Sequence, residues 1–356
     1  MKYYLLELSR NIGGPMTAGI KAREDVEAIL RQAGFADLRL LSSRFARTNA
    51  ANKLLASFET ETQWRRIVKQ LQPGDVLAVQ LPPSENTLFL GAAIRKLHNK
   101  GVRTVAVVHD LETVRAALMK KVRAWKRRLR IYLEETVALR YFDRIIVHNE
   151  HMRALMIELG YAPGRLVSLG IFDYLTGTPS VPPEKEGDPD AVAVAGNLLR
   201  DKSGYVYALS EIKGCNFNLY GVNYSGAAAE NLRYLGAFPS DTLPLILNGR
   251  FGLVWDGPAA ETCAGVYGEY LKLNNPHKTS LYLAAGLPVI VWSAAATADF
   301  VKENGCGITV DSLYDLPAAI NSLPDEAYAG MKRAAEALSV RLKNGEFLKT
   351  ALQTCE

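Results

Sequence analysis

Apolar residues recur along the first 170 positions in two alternating rhythms. Short runs dense in Val, Ile, Leu and Tyr give way to stretches where apolar positions return every three to four residues, the periods of buried strands and amphipathic helices. The runs predict strands at Tyr3–Leu8, Leu38–Leu41, Val76–Leu81, Arg103–His109, Arg144–His148 and Leu166–Leu169. Between the first two, Ala22, Val26, Ile29, Leu30 and Ala33 fall at helical spacing, and Gly34 follows where a left-handed C-cap residue belongs. This alternation predicts βαβ units on a parallel sheet. From Gly177 to Asp190 the sequence GTPSVPPEKEGDPD has no apolar period and reads as a linker unable to order itself. Alternation resumes with Ala191–Ala195, Asn218–Tyr220, Phe251–Trp255, Leu287–Trp292 and Gly307–Val310, which predicts a second open α/β domain. The expected division is 1–176, a linker 177–190, 191–324, and a helical segment 325–356 free to pack back on the first domain.

Length supports two domains, since 356 residues exceed the size at which one hydrophobic core usually keeps growing. Nowhere do about 20 apolar residues run uninterrupted, so no bilayer span is expected. The first residues lack the pattern of a secretory leader, and Cys215, Cys263, Cys306 and Cys355 are too scattered for a disulfide framework or a CxxC metal site. A cytoplasmic location is expected. The net charge of +5 is too small to announce a nucleic-acid partner. It is concentrated locally, however: residues 119–130 carry Lys120, Lys121, Arg123, Lys126, Arg127, Arg128 and Arg130. With Leu118, Val122, Trp125 and Leu129 on one helical face, this stretch reads either as a solvated helix or as a peripheral contact with an anionic membrane surface.

Open α/β sheets bind ligands outside the carboxyl ends of their strands, so the loops there hold the candidate chemistry. In AVAVAGNLLRDKSG, residues 191–204, a buried strand ends at Gly196, where a missing Cβ permits close backbone approach, and Arg200 and Lys202 follow. These suit an anion, or are solvated cations after an ordinary turn. In YLKLNNPHKTSLYLAAGLPVIVW, residues 270–292, Pro276 suits the first turn of a helix starting near His277 or Lys278. Lys278 and the free N–H groups of that turn would receive a phosphate, while Lys272, Asn274 and Asn275 precede it and the asparagine amides could meet hydroxyls. Tyr220 ends a strand and either stacks on a nucleobase or half-buries in the sheet. Ser240 reads as an N-cap with Asp241 in the first helical turn. In the first domain His109 and Asp110 close a strand and offer a general base for a sugar hydroxyl, or else a core histidine and a cap. Asn149 reads as a helix cap, and Thr17 and Lys21 lie between the first strand and its helix, placed to meet an acceptor or the donor's far end.

AGNLLRDKSG, YLGAFPSDTLPLILNGRFGLVWDG and YLKLNNPHKTSLYLAAGLPVIVW resemble, in order and spacing, the C-terminal domain of GT-B glycosyltransferases. With AGIKAREDV, VVHDLETVR, DRIIVHNEHM and IFDYL, nearly the whole chain is similar to the bacterial β-1,6-galactofuranosyltransferase group, which includes glucosyltransferases that extend O-glycans on serine-rich adhesins. The resemblance implies α/β architecture of the GT-B type, two Rossmann-like doubly wound domains facing each other across a cleft. It implies transfer of galactofuranose or glucose from a UDP-sugar to a glycan acceptor, lipid-linked or protein-linked, with no metal or other cofactor; a homo-oligomer is compatible with it. No DxD motif suited to a divalent cation is present. Lys202 matches the superfamily lysine that contacts the diphosphate, whereas Asn197 stands where an arginine is usual and Arg200 is its expected substitute. Leu281 replaces a glutamate that often holds ribose hydroxyls, which leaves Asn275 or backbone groups for that role. A UDP-sugar epimerase of the same architecture and a non-catalytic two-lobed sugar-binding protein are the competing readings.

Overall fold

The computed structural model describes residues 1–8, 18–44, 49–83, 89–118, 131–177 and 183–355. The basic stretch 119–130, Thr17 and residues 178–182 of the expected linker lie outside them. Among the described residues twelve strands form two six-stranded sheets, parallel at every pairing. The first holds β1 (Lys2–Leu8), β2 (Ala36–Leu41), β3 (Val76–Leu81), β4 (Arg103–Val108), β5 (Arg144–Val147) and β6 (Leu166–Ser168), in the order β2-β1-β3-β4-β5-β6. The second holds β7 (Val192–Asn197), β8 (Phe217–Val222), β9 (Leu232–Tyr234), β10 (Phe251–Val254), β11 (Val289–Trp292) and β12 (Gly307–Val310), in the order β12-β11-β10-β7-β8-β9.

Each order reverses once, between β1 and β3 in the first sheet and between β7 and β10 in the second. At a reversal the chains leaving two neighbouring strands cross to opposite faces, so a crevice opens at their carboxyl ends. The predicted strands are present within a few residues. β9 was not foreseen: its three residues, half-buried or exposed at a sheet edge, are too few to set up a readable alternation.

The chain divides into two compact units, one of Met1–Pro15, Val26–Leu169 and Lys349–Glu356, the other of Met16–Asp25 and Gly170–Leu348. In the second unit both faces of the sheet are covered. Val192, Val194, Leu219, Leu253 and Ile290 pack with Tyr205 and Leu209 on one face; Ala193, Ala195, Val254 and Val289 pack with Tyr282, Leu283 and Leu338 on the other. Burial on both faces is why these strands read as unbroken apolar runs.

Part of the expected linker is ordered. Asp188 N–H donates to Asn218 Oδ1 (3.2 Å), Asn218 Nδ2 donates to Asp188 O (2.8 Å), and Glu186 N–H donates to Ile246 O (3.0 Å). Polar groups buried inside the next domain supply what the segment's own composition lacks. The expected cap at Ser240 is also corrected, because the short helix begins at Leu243 with Thr242 at the cap position and no side-chain cap bond. Ser240 instead offers its carbonyl to the Tyr174 hydroxyl (2.8 Å).

Gly252, in the middle of β10, faces the ring of Tyr282, and a Cβ there would lie 2.1 Å from Tyr282 Cγ. Gly252→Ala is expected to destabilise the second unit by about 1–3 kcal/mol, the usual range for overpacking a filled core, read as a lower urea midpoint.

Candidate functional site

The reversal in the second sheet places the end of β7, at Gly196–Asn197, beside Trp255–Asp256, the residues that follow β10. Gly196 has φ +135°, a conformation that side-chain-bearing residues avoid, and its register partner Gly221 on β8 has φ +154°. A Cβ on Gly221 would lie 1.8 Å from Gly196 O. The two strand ends are thus bare backbone, closely apposed.

Lys278 crosses this point. Its ammonium donates to Trp255 O (2.7 Å) and to Asp256 Oδ1 (2.8 Å), and its Cδ comes within 3.8 Å of where a Cβ on Gly196 would be. Burial alone would lower its pKa, but Asp256 and Tyr282 outweigh that and hold it above the ordinary lysine value, so the site keeps a cation. Two of the three ammonium hydrogens are engaged among the described residues.

The helix carrying Lys278 runs His277–Ala284, with Pro276 at its cap position rather than inside its first turn. Three further bonds fix it: Ser280 Oγ donates to Phe172 O (2.6 Å), Ala195 N–H donates to the Tyr282 hydroxyl (2.7 Å), and Asn275 Nδ2 donates to Gly170 O (3.0 Å). Asn275 is therefore a buried tether in this structure, not a group facing a ribose. Its neighbour Asn274 has a buried Oδ1 without a partner among the described residues, and so does His277 at Nε2. The His277 ring stacks on Tyr174 at 4.8 Å, and burial, then the Lys21 charge, hold its pKa near 4 against a hydrogen bond with the Asp173 backbone. With the ring neutral and that bond on the other nitrogen, Nε2 is an acceptor.

Other expected residues are engaged elsewhere. Tyr220 is 0% exposed; its hydroxyl donates to Glu186 O and accepts from Asn248 N–H (3.0 Å), so it clamps the segment that leads into β7 and has no face for a nucleobase. Lys21 has only 4% of its side chain exposed and is held by Asp25 (2.5 Å), Asp241 (2.8 Å) and Leu175 O (2.7 Å), which corrects its reading as an acceptor-facing cation. Asp25 is pushed up to about 6 by burial, opposed by Lys21. Arg200 lies on the Tyr207 ring at 4.0 Å, Lys202 stands 5.9 Å over Tyr267, and Lys272 pairs with Glu269 (2.8 Å) over the Trp292 ring. Asn197 Oδ1 accepts from Leu199 N–H (3.1 Å) and Asn223 Nδ2 (3.0 Å), a turn-forming role.

In the first unit His109 follows β4, and its Nε2 lies 2.7 Å from Gln80 Oε1. Gln80 donates its own amide to Glu27 (3.3 Å), which fixes the amide orientation and makes His109 Nε2 the protonated nitrogen. Asp110 pairs with Arg115 (3.0 Å). Glu135, unforeseen from sequence, is buried and receives the N–H groups of Glu112 and Thr113 at the start of the next helix; burial raises its pKa to about 7. It comes from the π-helical turn Tyr132–Val137, and nothing local in YLEETV signals that long-range cap. Asn149 caps its helix as expected, accepting from Met152 N–H (2.9 Å).

Residues 4–171 match the family model "Glucosyltransferase 3-like, N-terminal domain", and residues 192–355 match its C-terminal counterpart. The β-1,6-galactofuranosyltransferase WbbI of Escherichia coli (strain K12) is 33% identical over 285 residues, covering 80% of this chain and 79% of that protein. Glucosyltransferase 3 of Streptococcus gordonii is 26% identical over 345 residues, 96% of this chain and 94% of that one. Among solved structures, the lipopolysaccharide outer core galactosyltransferase WaaB superposes with a TM-score of 0.58 at 11% identity, and Anabaena Alr3699/HepE in complex with UDP with 0.55 at 13%; each match covers 99% of both chains. The fold is thereby GT-B.

A histidine kept neutral by the fold lends stability at pH above its ordinary value, near 6.5, and that contribution is lost as pH falls toward 4. His277→Gln should therefore flatten the decline of second-unit stability between pH 6.5 and 4, by up to about 1.4 kcal/mol per pH unit. Asp25 works in the opposite sense in both proteins, so the difference between their urea midpoints isolates His277.

Proposed function

Because the chain belongs to the glucosyltransferase 3-like family of glycosyltransferases, we propose that it moves a hexosyl residue, galactofuranose or glucose, from a UDP-sugar to a glycan hydroxyl without a metal ion. The observation that carries this reading is Lys278, a charged lysine held at the reversal of the second sheet by Trp255 O and Asp256. The bound UDP named for a structure of the same fold supports a nucleotide diphosphate as the donor's leaving group.

Negative charge accumulates on the diphosphate oxygens as the glycosidic bond breaks. In this mechanism Lys278 stabilises it from a fixed position, so little reorganisation is required at the moment of reaction. The bare backbone of Gly196 and Gly221 lets those oxygens approach, and the amino end of the helix His277–Ala284 adds a positive dipole. Lys202, exposed and standing over the Tyr267 ring, is the second cation in the proposal, and Arg200 the third. Asn274 Oδ1 and His277 Nε2 are acceptors suited to donor hydroxyls in place of the glutamate that Leu281 replaces. In this proposal the acceptor hydroxyl loses its proton to His109, whose ring Gln80 orients through Nε2.

A charge-assisted hydrogen bond contributes about 1.5–3 kcal/mol, so Lys278→Ala should lower kcat/KM for the UDP-sugar by about tenfold to a hundredfold. Release of UDP in the presence of acceptor is the measurement, and wild-type turnover by this variant would remove Lys278 from the site. Turnover of the parent protein is expected to survive EDTA; a loss restored by added divalent metal would overturn the metal-independent part of the reading.

A further inference from the structure

The helix Ala50–Gln70 covers the β2 edge of the first sheet. Gln63 pairs with the backbone of Leu41 at that edge, accepting from its N–H (2.8 Å) and donating to its carbonyl (3.0 Å). Ala56, Trp64 and Ile67 point inward and are buried. The outward stripe is unusual for a solvated helix: Leu54 (59% exposed), Leu55 (44%) and Phe58 (58%) occupy its first turns. The same stripe continues, at helical spacing, as Arg65, Arg66 and Lys69, all exposed. Two acids flank it: Glu59 accepts from the Ser43 hydroxyl (2.7 Å), and Glu61 pairs with Arg65 (3.0 Å), which leaves Arg66 and Lys69 as its uncompensated cations among the described residues.

A groove of about 310 Å³ runs between this helix and the helix Leu90–Asn99, lined by Arg65, Lys69 and Lys96 together with Phe89 and Trp64. Glu61 lines it too, held by Arg65. Trp64 is 2% exposed, and its indole N–H has no acceptor among the described residues. A buried donor without a partner beside three cations fits an anionic oxygen.

We propose that this face of the first unit docks on an anionic phospholipid bilayer. Leu54, Leu55 and Phe58 enter the acyl boundary, while Arg65, Arg66, Lys69 and Lys96 meet lipid phosphates, one of which accepts from the Trp64 indole. An apolar patch continuing into cations of one sign is the arrangement that an interfacial helix requires. Pairing with a second copy through the same stripe sets a net positive surface against itself, since Arg65, Arg66 and Lys69 on the stripe and Lys96 beside it outnumber Glu59 and Glu61. The helix begins just beyond the carboxyl end of β2, the edge of the sheet to which β4 delivers His109, so docking there brings a membrane-borne acceptor to the reacting side of this unit.

The test is flotation of the full chain with vesicles of phosphatidylcholine alone or mixed with phosphatidylglycerol. Binding needs neither donor nor turnover, so the result stands apart from the proposed reaction. Selective binding to the anionic vesicles at low salt is expected. Leu54→Ser/Phe58→Ser should lower the partition coefficient by more than about tenfold, and Arg66→Gln/Lys69→Gln by about fivefold per charge. Equal partition into both vesicle types, or binding unchanged in both variants, would overturn the proposal. So would a fall in oligomeric mass on light scattering for the Leu54/Phe58 variant, which would make the occupant a second copy.

Discussion

The contact between the Lys278 ammonium, Trp255 O and Asp256 is the constraint around which the second unit is arranged. A lysine partly withdrawn from water keeps its charge only if a carboxylate and a carbonyl receive it, and both must stand at one point. The reversal of strand order supplies that point, because β10 ends beside β7 there. The helix that delivers the lysine is then tied on its other side by Ser280, Tyr282 and Asn275. Gly252 belongs to the same arrangement: with no side chain at that position, the Tyr282 ring packs against β10 and its hydroxyl reaches Ala195 N–H.

A second charge cluster does structural work in the same unit. Lys21, Asp25 and Asp241 meet around Tyr174, whose ring lies 5.1 Å from the lysine ammonium. Burying the Asp25 carboxylate is costly even beside Lys21, which is visible in its raised pKa. The cluster joins residues far apart in sequence, and its positive charge is one cause of the neutral state of His277. Electrostatics at the candidate site is therefore set partly by residues that take no part in it.

The alternation of strands and helices was legible because parallel sheets buried on both faces leave unbroken apolar runs, and because Gly34 and Asn149 mark helix ends with their own chemistry. The loop around Lys278 was legible for a similar reason, since Pro276 fixes a helix start that local rules can locate. Tyr220, Lys21, Asn275 and Ser240 were not. Each has a polar group that serves a ligand or a distant backbone carbonyl equally well, and local sequence does not say which partner will be near. Glu135 was missed for the converse reason: its cap is made with Glu112 and Thr113, more than twenty positions away.

By itself the sequence determined the number of sheets, their parallel character, the loops at their carboxyl ends and the family, all of which rest on local periodicity and on residues read in order. Only the tertiary structure decided which cation of several stands at the reversal and which are laid on aromatic rings or locked in ion pairs. The reason is physical. A charged or polar side chain is defined by the partner that removes the cost of its burial, and that partner is brought by the winding of the sheet from positions the local sequence does not contain.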